Sequence, residues 1–154
     1  MARDWIFQSS EGNCHFRCAA VITRNGKILM QRDSDEYALI GGHVQVGETG
    51  EETVVREFQE ELSVRVQCRC LLWTEECFWT WQGVQTHTIS FYYHADFCEG
   101  SHFPYDSGFH PQKDNPRIEV GWVPFEKLNN LTVYPDFLKQ QIFDLKPGHF
   151  ITRA

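Results

Sequence analysis

A chain of 154 residues is long enough for one domain with a buried core. Its 42% hydrophobic and 23% charged content excludes both a disordered chain and a membrane-embedded one. A formal net charge of −7 leaves no basic face to displace counterions from a nucleic-acid duplex, although an acidic protein still takes a polyphosphate when a cation bridges the two.

The opening Met1-Ala2-Arg3-Asp4-Trp5 lacks the basic-then-apolar order of a secretory leader. No run approaches the roughly 20 apolar residues of a membrane span, so a cytoplasmic protein without a membrane partner is expected. The six cysteines, at 14, 18, 68, 70, 77 and 98, include no Cys-x-x-Cys pair, and a domain of this size needs no staples. Reduced structural cysteines are expected, with Cys68 and Cys70, two apart, on one face of a strand.

In chain order, Trp5, Ile6 and Phe7 form a short edge strand within a polar opening segment. Residues 16–22 read as a buried strand. Asn25-Gly26 is a hairpin turn answered by a strand over 27–31. A charged loop over 32–36 leads to a short strand over 37–40. The first helix spans 49–62, with Thr49 and Glu52 spaced for a capping box. A strand follows over 65–72, then a hairpin of 75–81 with 84–97 about Gln82-Gly83, which puts Thr86, Thr88, Ser90, Tyr92 and His94 on one face. A long loop covers 98–116, a strand 117–123 closed by Pro124, a short helix 125–131 and a longer one 135–145. The Pro147-Gly148 break leaves a tail. No repeat or linker divides the chain. This order predicts one α/β (α+β) domain over 1–154, with a mixed β-sheet between helices.

Chemistry concentrates between Gly41 and Val64. At 100° per residue, Glu60 and Glu61 fall about 60° behind and 40° ahead of Glu57, so three carboxylates point one way. Val54, Val55, Phe58 and Leu62 occupy the adjacent arc, which sets the acids on the shoulder of the buried stripe. Carboxylates about 6 Å apart at an effective dielectric near 20 repel by roughly 3 kcal/mol per pair. A hard divalent cation, Mg²⁺ or Mn²⁺, converts that repulsion to attraction. Arg56, one turn before Glu60, is placed to hold that carboxylate. Gly41 and Gly42 let the main chain approach a ligand, and Gly47 and Gly50 allow a compact turn before the helix. The plain alternative for Glu-x-x-Glu-Glu is a solvated acidic face on a surface helix.

The spacing of the whole stretch resembles the signature of the Nudix hydrolases: Gly, five residues, Glu, seven residues, then Arg-Glu-hydrophobic-x-Glu-Glu-x-Gly-hydrophobic. Gly42, Glu48, Arg56, Glu57, Phe58, Glu60, Glu61, Ser63 and Val64 stand at those positions. A chance match in a chain this long is on the order of one in a hundred thousand at ordinary residue frequencies. Two positions depart from the pattern: Ser63 replaces the glycine after the helix, and Ile40 the proline often found before the double glycine. The resemblance implies an α/β/α sandwich with a mixed sheet and Mg²⁺ held by Glu57, Glu60 and Glu61 with the Gly42 carbonyl. It also implies hydrolysis of a nucleoside diphosphate linked to another group, X: a nucleotide sugar, a nucleoside triphosphate or a dinucleoside polyphosphate. The general base is Glu61 first, with Glu57 and Glu119 behind it. A Nudix-fold module that binds a nucleotide metabolite without cleaving it is the second reading.

Specificity is expected from outside this stretch. Trp79, Trp81, Phe103, Tyr105 and Phe109 are aromatic candidates for stacking on a base, and Tyr37 stands at the entry to the glycines. His87, His94, His102 and His110 are candidates for phosphate or sugar contacts. Arg17, Arg32 and Lys27 are candidate phosphate partners, with Arg32 the best placed, after the second strand on the approach to Gly42. Edges near Trp5 and the long loop could pair two copies as a homodimer.

Overall fold

The structure, a computed structural model, describes residues 2–105 and 108–154. Its elements are β1 (Ile6–Ser9), β2 (Gly12–Val21), β3 (Thr23–Arg24), β4 (Lys27–Asp33), β5 (Glu36–Ala38), β6 (Ile40–His43), α1 (Gly50–Leu62), β7 (Val66–Trp81), β8 (Val84–Phe97), β9 (His110–Pro111), β10 (Glu119–Pro124), a 3₁₀ helix η1 (Phe125–Asn130), β11 (Thr132–Tyr134), α2 (Leu138–Gln141) and β12 (Gly148–Arg153).

The expected mixed sheet is divided in two. The first has the order β1-β2-β8-β7-β12, with β6 on the outer edge of β2; the second has the order β11-β5-β4-β10-β9, with β3 on β4. Parallel pairs (β2 with β8, β7 with β12, β5 with β11) sit among antiparallel ones.

Strand alternation builds a core on each side. Cys18, Ala20 and Ile22 join Leu29, Val54 and Phe58 under α1. Ala19, Val21, Ile28 and Met30 face Leu128 and Leu138 of η1 and α2 on the other side. Successive residues on a strand point to opposite faces, so one β2 sequence serves both layers. The outcome is the expected sandwich of helix, sheet and helix.

The turns follow their dipeptides. Asn25 and Gly26 both have positive φ (50° and 75°), as do Gln82 and Gly83 (51° and 79°), the pairing a two-residue hairpin loop requires. The capping box is present: the Thr49 hydroxyl accepts from Glu52 N at 3.1 Å, and Thr49 N donates to Glu52 Oε2 at 2.8 Å.

Several expectations are corrected. Gly41 and Gly42 lie within β6, a strand paired with β2, rather than in a loop. The strand at 65–72 and the first arm of the hairpin are one element, β7. Register shifts between Cys68 and Cys70 and between Leu71 and Trp73 break the alternation, so Cys68 packs against the α1 core while Cys70 is exposed. All six cysteines are free thiols.

The apolar arc of α1 is narrower than expected, since Val55 is exposed. The helix expected over 135–145 shortens to Leu138–Gln141; beyond it Ile142 is still buried in the core while Phe143 is exposed. The tail is the strand β12, parallel to β7, a non-local pairing that local signals do not reveal. The predicted loop over 98–116 contains the short strand β9, and its residues 106 and 107 lie outside the described residues. No helix among the described residues is long and apolar enough to cross a membrane.

Candidate metal and catalytic site

Glu48 and Arg56 organise the turn between β6 and α1. Glu48 Oε1 accepts from Gln45 N at 3.0 Å and from the Thr53 hydroxyl at 2.7 Å. Arg56 grips both oxygens, with Nε at 2.7 Å from Oε2 and Nη2 at 3.0 Å from Oε1. This two-pronged geometry suits a planar guanidinium. The pairing holds the Glu48 carboxyl well below its ordinary range, at about 2.

The rest of Arg56 reaches into the site. Nη2 donates to the main-chain carbonyl of His43 at 3.0 Å. Nη1 donates to Glu57 at 2.9 Å and to Glu60 at 3.3 Å. The predicted hold on Glu60 is therefore present, as one contact of a guanidinium that also fixes Glu48, Glu57 and β6.

Glu57 and Gly42 meet directly. A methyl group built on Gly42 would lie 2.3 Å from Glu57 Oε1, so the missing side chain makes the space the carboxylate occupies. Gly41 answers to the scaffold instead: there the added carbon would lie 2.0 Å from the Cys18 carbonyl oxygen, where only glycine lets the strands pair.

Glu61 is 8% exposed. Its carboxyl is raised to about 9, by burial first, then by the facing Glu57 and by Asp114. Glu57 is raised as well, chiefly by burial, against the pull of Arg56. A buried carboxyl beside a second one holds a proton where a solvated one would not. Glu61 Oε2 has no hydrogen-bond partner, and a buried polar oxygen left in that condition is costly. Main-chain contact from the long loop closes this end of the helix, Lys113 N donating to Glu61 O at 3.0 Å.

The donor set fits a hard divalent cation: an orphan buried carboxyl oxygen on Glu61, a second buried carboxylate on Glu57, and a side-chain-free main chain at Gly42. The trio is not gathered on one point among the described residues. Arg56 draws Glu57 and Glu60, Glu60 is half exposed, and Glu61 turns to Glu57.

The remaining sequence candidates are dispersed. Arg32 stacks on the Phe109 ring, 3.9 Å from its centroid, and its Nη2 lies 3.2 Å from Glu119. Tyr37 stands opposite Arg32 in the second sheet. Glu119, expected as a candidate base, is thus tied to Arg32 on β10. Trp79 donates to the Thr88 hydroxyl at 3.0 Å and Trp81 is exposed near the hairpin tip.

Tyr105 packs on Trp122 beside Arg24 and Lys27. None of the acids of α1 is among the contacts of Tyr105 in the described residues. A hollow of about 320 Å³ lined by Ile22, Arg24, Arg69 and Trp122 lies beside it, with no acid of α1 in its lining. Phe103 is a core residue. Glu75, buried at 4% exposure, is not among the sequence candidates. An acid at an inward position of a strand was the signal for it.

A glycine strand against an acidic helix, with an arginine locking the turn between them, defines a phosphate-handling class of α/β/α protein. The NUDIX domain model matches residues 15–144, and the chain belongs to the Nudix hydrolase family. MutT4 of Mycobacterium tuberculosis (strain CDC 1551 / Oshkosh) is 27% identical over 115 residues, 75% of this chain; the match spans 40% of that protein's length. The MutT protein of Bacillus halodurans has the same fold, with a TM-score of 0.64, 12% identity and coverage of 91% of this chain and 90% of that one. So does an ADP-ribose pyrophosphatase of Streptococcus suis 89-1591, with a TM-score of 0.52, 16% identity and coverage of 89% and 98%.

Proposed function

We propose that the chain hydrolyses the pyrophosphate linkage of a nucleoside diphosphate joined to another group X, with Mg²⁺ or Mn²⁺ held by Glu57, Glu60, Glu61 and the Gly42 carbonyl. The observation that carries this reading is the buried Glu61, with its unpartnered oxygen beside Glu57 over the Gly42 space. The cation, when bound, neutralises phosphate oxygens and acidifies a water. Arg56 orients Glu57 and Glu60 from behind, and Glu48 fixes Arg56. Glu61 is the general base, as the carboxylate that keeps an unpartnered oxygen beside the cation's ligands, where an attacking water would lie.

The Streptococcus suis neighbour's name, an ADP-ribose pyrophosphatase, supports ADP-ribose as one candidate substrate; a nucleoside triphosphate is another. Six free thiols suit a reducing cytoplasm. Trp5, Ile6 and Phe7, exposed at β1, form the edge where a second copy would pair.

The test is a panel of nucleotides with Mg²⁺ or Mn²⁺, read by phosphate release and by melting temperature. Wild type is expected to release product, and cation alone is expected to raise its melting temperature. Glu61→Gln is expected to lose at least 100-fold in kcat, a large share of what a positioned base supplies, together with the cation-induced rise. Wild-type turnover in Glu61→Gln or Glu60→Gln would sink the assignment, and thermal shifts without any product would favour the binding-module reading.

A further inference from the structure

One row of side chains crosses the first sheet from the site to a buried acid. His43 on β6 stands opposite Arg17 on β2, Arg17 opposite Ser90 on β8, and Ser90 opposite Glu75 on β7. Directly opposed residues share a sheet face, and neighbouring strands lie about 4.8 Å apart, so the row runs roughly 14 Å. Its near end is the site itself, because Arg56 donates to the His43 carbonyl. On one side of the row the same face is polar, with Asn13, Thr86 and Thr88 buried; on the other it runs into the apolar core at Ala19 and Tyr92.

The two charged members of the row are unusual in opposite ways. Glu75 is buried, yet its donors are hydroxyls: Tyr92 at 2.7 Å to Oε1 and Thr152 at 2.6 Å to Oε2. No Arg or Lys pairs with it among the described residues. Arg17 is half-buried and has no ion pair or side-chain hydrogen bond among the described residues, although its charge is felt at Glu61, His43 and Tyr92. Buried charges are ordinarily paired. Here a cation and an anion, neither with an ion-pair partner among the described residues, share one sheet face two strands apart, with Ser90 between them. Each Glu75 oxygen has accepted one hydrogen bond and retains capacity for another. The ligand that satisfies both is anionic at one end and rich in N–H or O–H donors at the other.

We propose that Arg17 and Glu75 are the specificity pair of the active site: Arg17 binds the substrate phosphate next to the acidic helix, and Glu75 accepts a hydrogen bond from a donor on the organic group that phosphate carries. The inference rests on the hydrolase reading above for the identity of the anion. It selects substrates with a donor edge at that position, either the amide and amine of a base or the hydroxyls of a sugar. It selects against groups that present only acceptors, which would meet the Glu75 carboxylate with repulsion.

The test compares wild type, Arg17→Ala, Arg17→Lys and Glu75→Gln on guanosine and inosine triphosphates, which differ by one exocyclic amine, and on ADP-ribose and ADP-glucose for the sugar arm. Arg17→Ala is expected to raise KM at least tenfold on every substrate cleaved, with kcat within about threefold of wild type, and Arg17→Lys to recover part of the loss. Glu75→Gln is expected to raise KM at least tenfold on one arm only, which identifies the donor as base or sugar.

Melting temperatures with added nucleotide read the same pair if no cleavage occurs. A Glu75-dependent and Arg17-dependent shift without product would then sustain the pair while sinking the hydrolase. Arg17 is half-buried and its removal leaves no ion-pair partner unsatisfied among the described residues, so the pair remains testable if Glu75→Gln unfolds. Unchanged KM in Arg17→Ala overturns the proposal. So do equal losses in Glu75→Gln on all four substrates, or a wild type that neither cleaves nor is shifted by any of them.

Discussion

Substituting Gly42 by Ala tests how the strand and the helix make the site together. Gly42 does not take a left-handed φ, so alanine fits its backbone, but the new carbon would sit 2.3 Å from Glu57 Oε1 and 2.4 Å from its Cδ. Glu57 must swing away, forfeiting the 2.9 Å hydrogen bond from Arg56. A hydrogen bond to a charged group contributes about 1.5–3 kcal/mol, and replacing glycine within a strand returns about 0.5–1 kcal/mol. The expected net loss is about 1–2 kcal/mol, with the fold intact. In a Glu57→Ala background the clash is gone and Gly42→Ala becomes neutral or slightly stabilising, so the coupling is about 2 kcal/mol. Urea unfolding of the four proteins measures it, and a Mn²⁺ titration of Gly42→Ala is expected to show loss of binding. If the two substitutions add to within about 0.5 kcal/mol, Gly42 is not there for Glu57 and the reasoning fails. Gly41→Ala is the contrast: its clash is with the Cys18 main chain, and no side-chain truncation relieves it.

Two further outcomes follow from the same geometry. Ser63 ends α1 at φ 54° and ψ 35°, a left-handed conformation that costs a non-glycine residue about 1–2 kcal/mol. Ser63→Gly is therefore expected to raise stability by about 1 kcal/mol, less glycine's own entropy cost, and a fall in melting temperature would refute it. Glu48, at about 2 when folded against an ordinary 4.5, is a depressed acid. Its stabilisation is present above pH 4.5 and is lost as pH falls toward 2, with an upper bound of about 3 kcal/mol. The stability gap between wild type and Glu48→Gln is expected to narrow across that window in urea titrations, and a gap that stays constant would show that the ion pair with Arg56 is not its source.

What was legible in the sequence is what local spacing controls. The capping box, the two positive-φ hairpins and the run from Gly42 to Val64 depend on neighbours within a few residues, and helical phase alone set Glu57 beside Glu60 and Glu61. Ser63 was legible as a departure, at a position whose left-handed φ favours glycine. Other outcomes required the fold. Burial separated three glutamates with one spacing: Glu60 stays half exposed, while Glu57 and Glu61 are sealed against Gly42 and each other. The reason is the placement of β6 on the edge of β2, a pairing between residues twenty or more apart. Bulges in β7 undid an alternation that the sequence displays plainly at Cys68 and Cys70. The row from His43 through Arg17 and Ser90 to Glu75 joins four strands whose order no local pattern encodes. The helix carried its chemistry in its own sequence; which charges it faces, and which lie unpaired across the sheet from it, was decided by strand register alone.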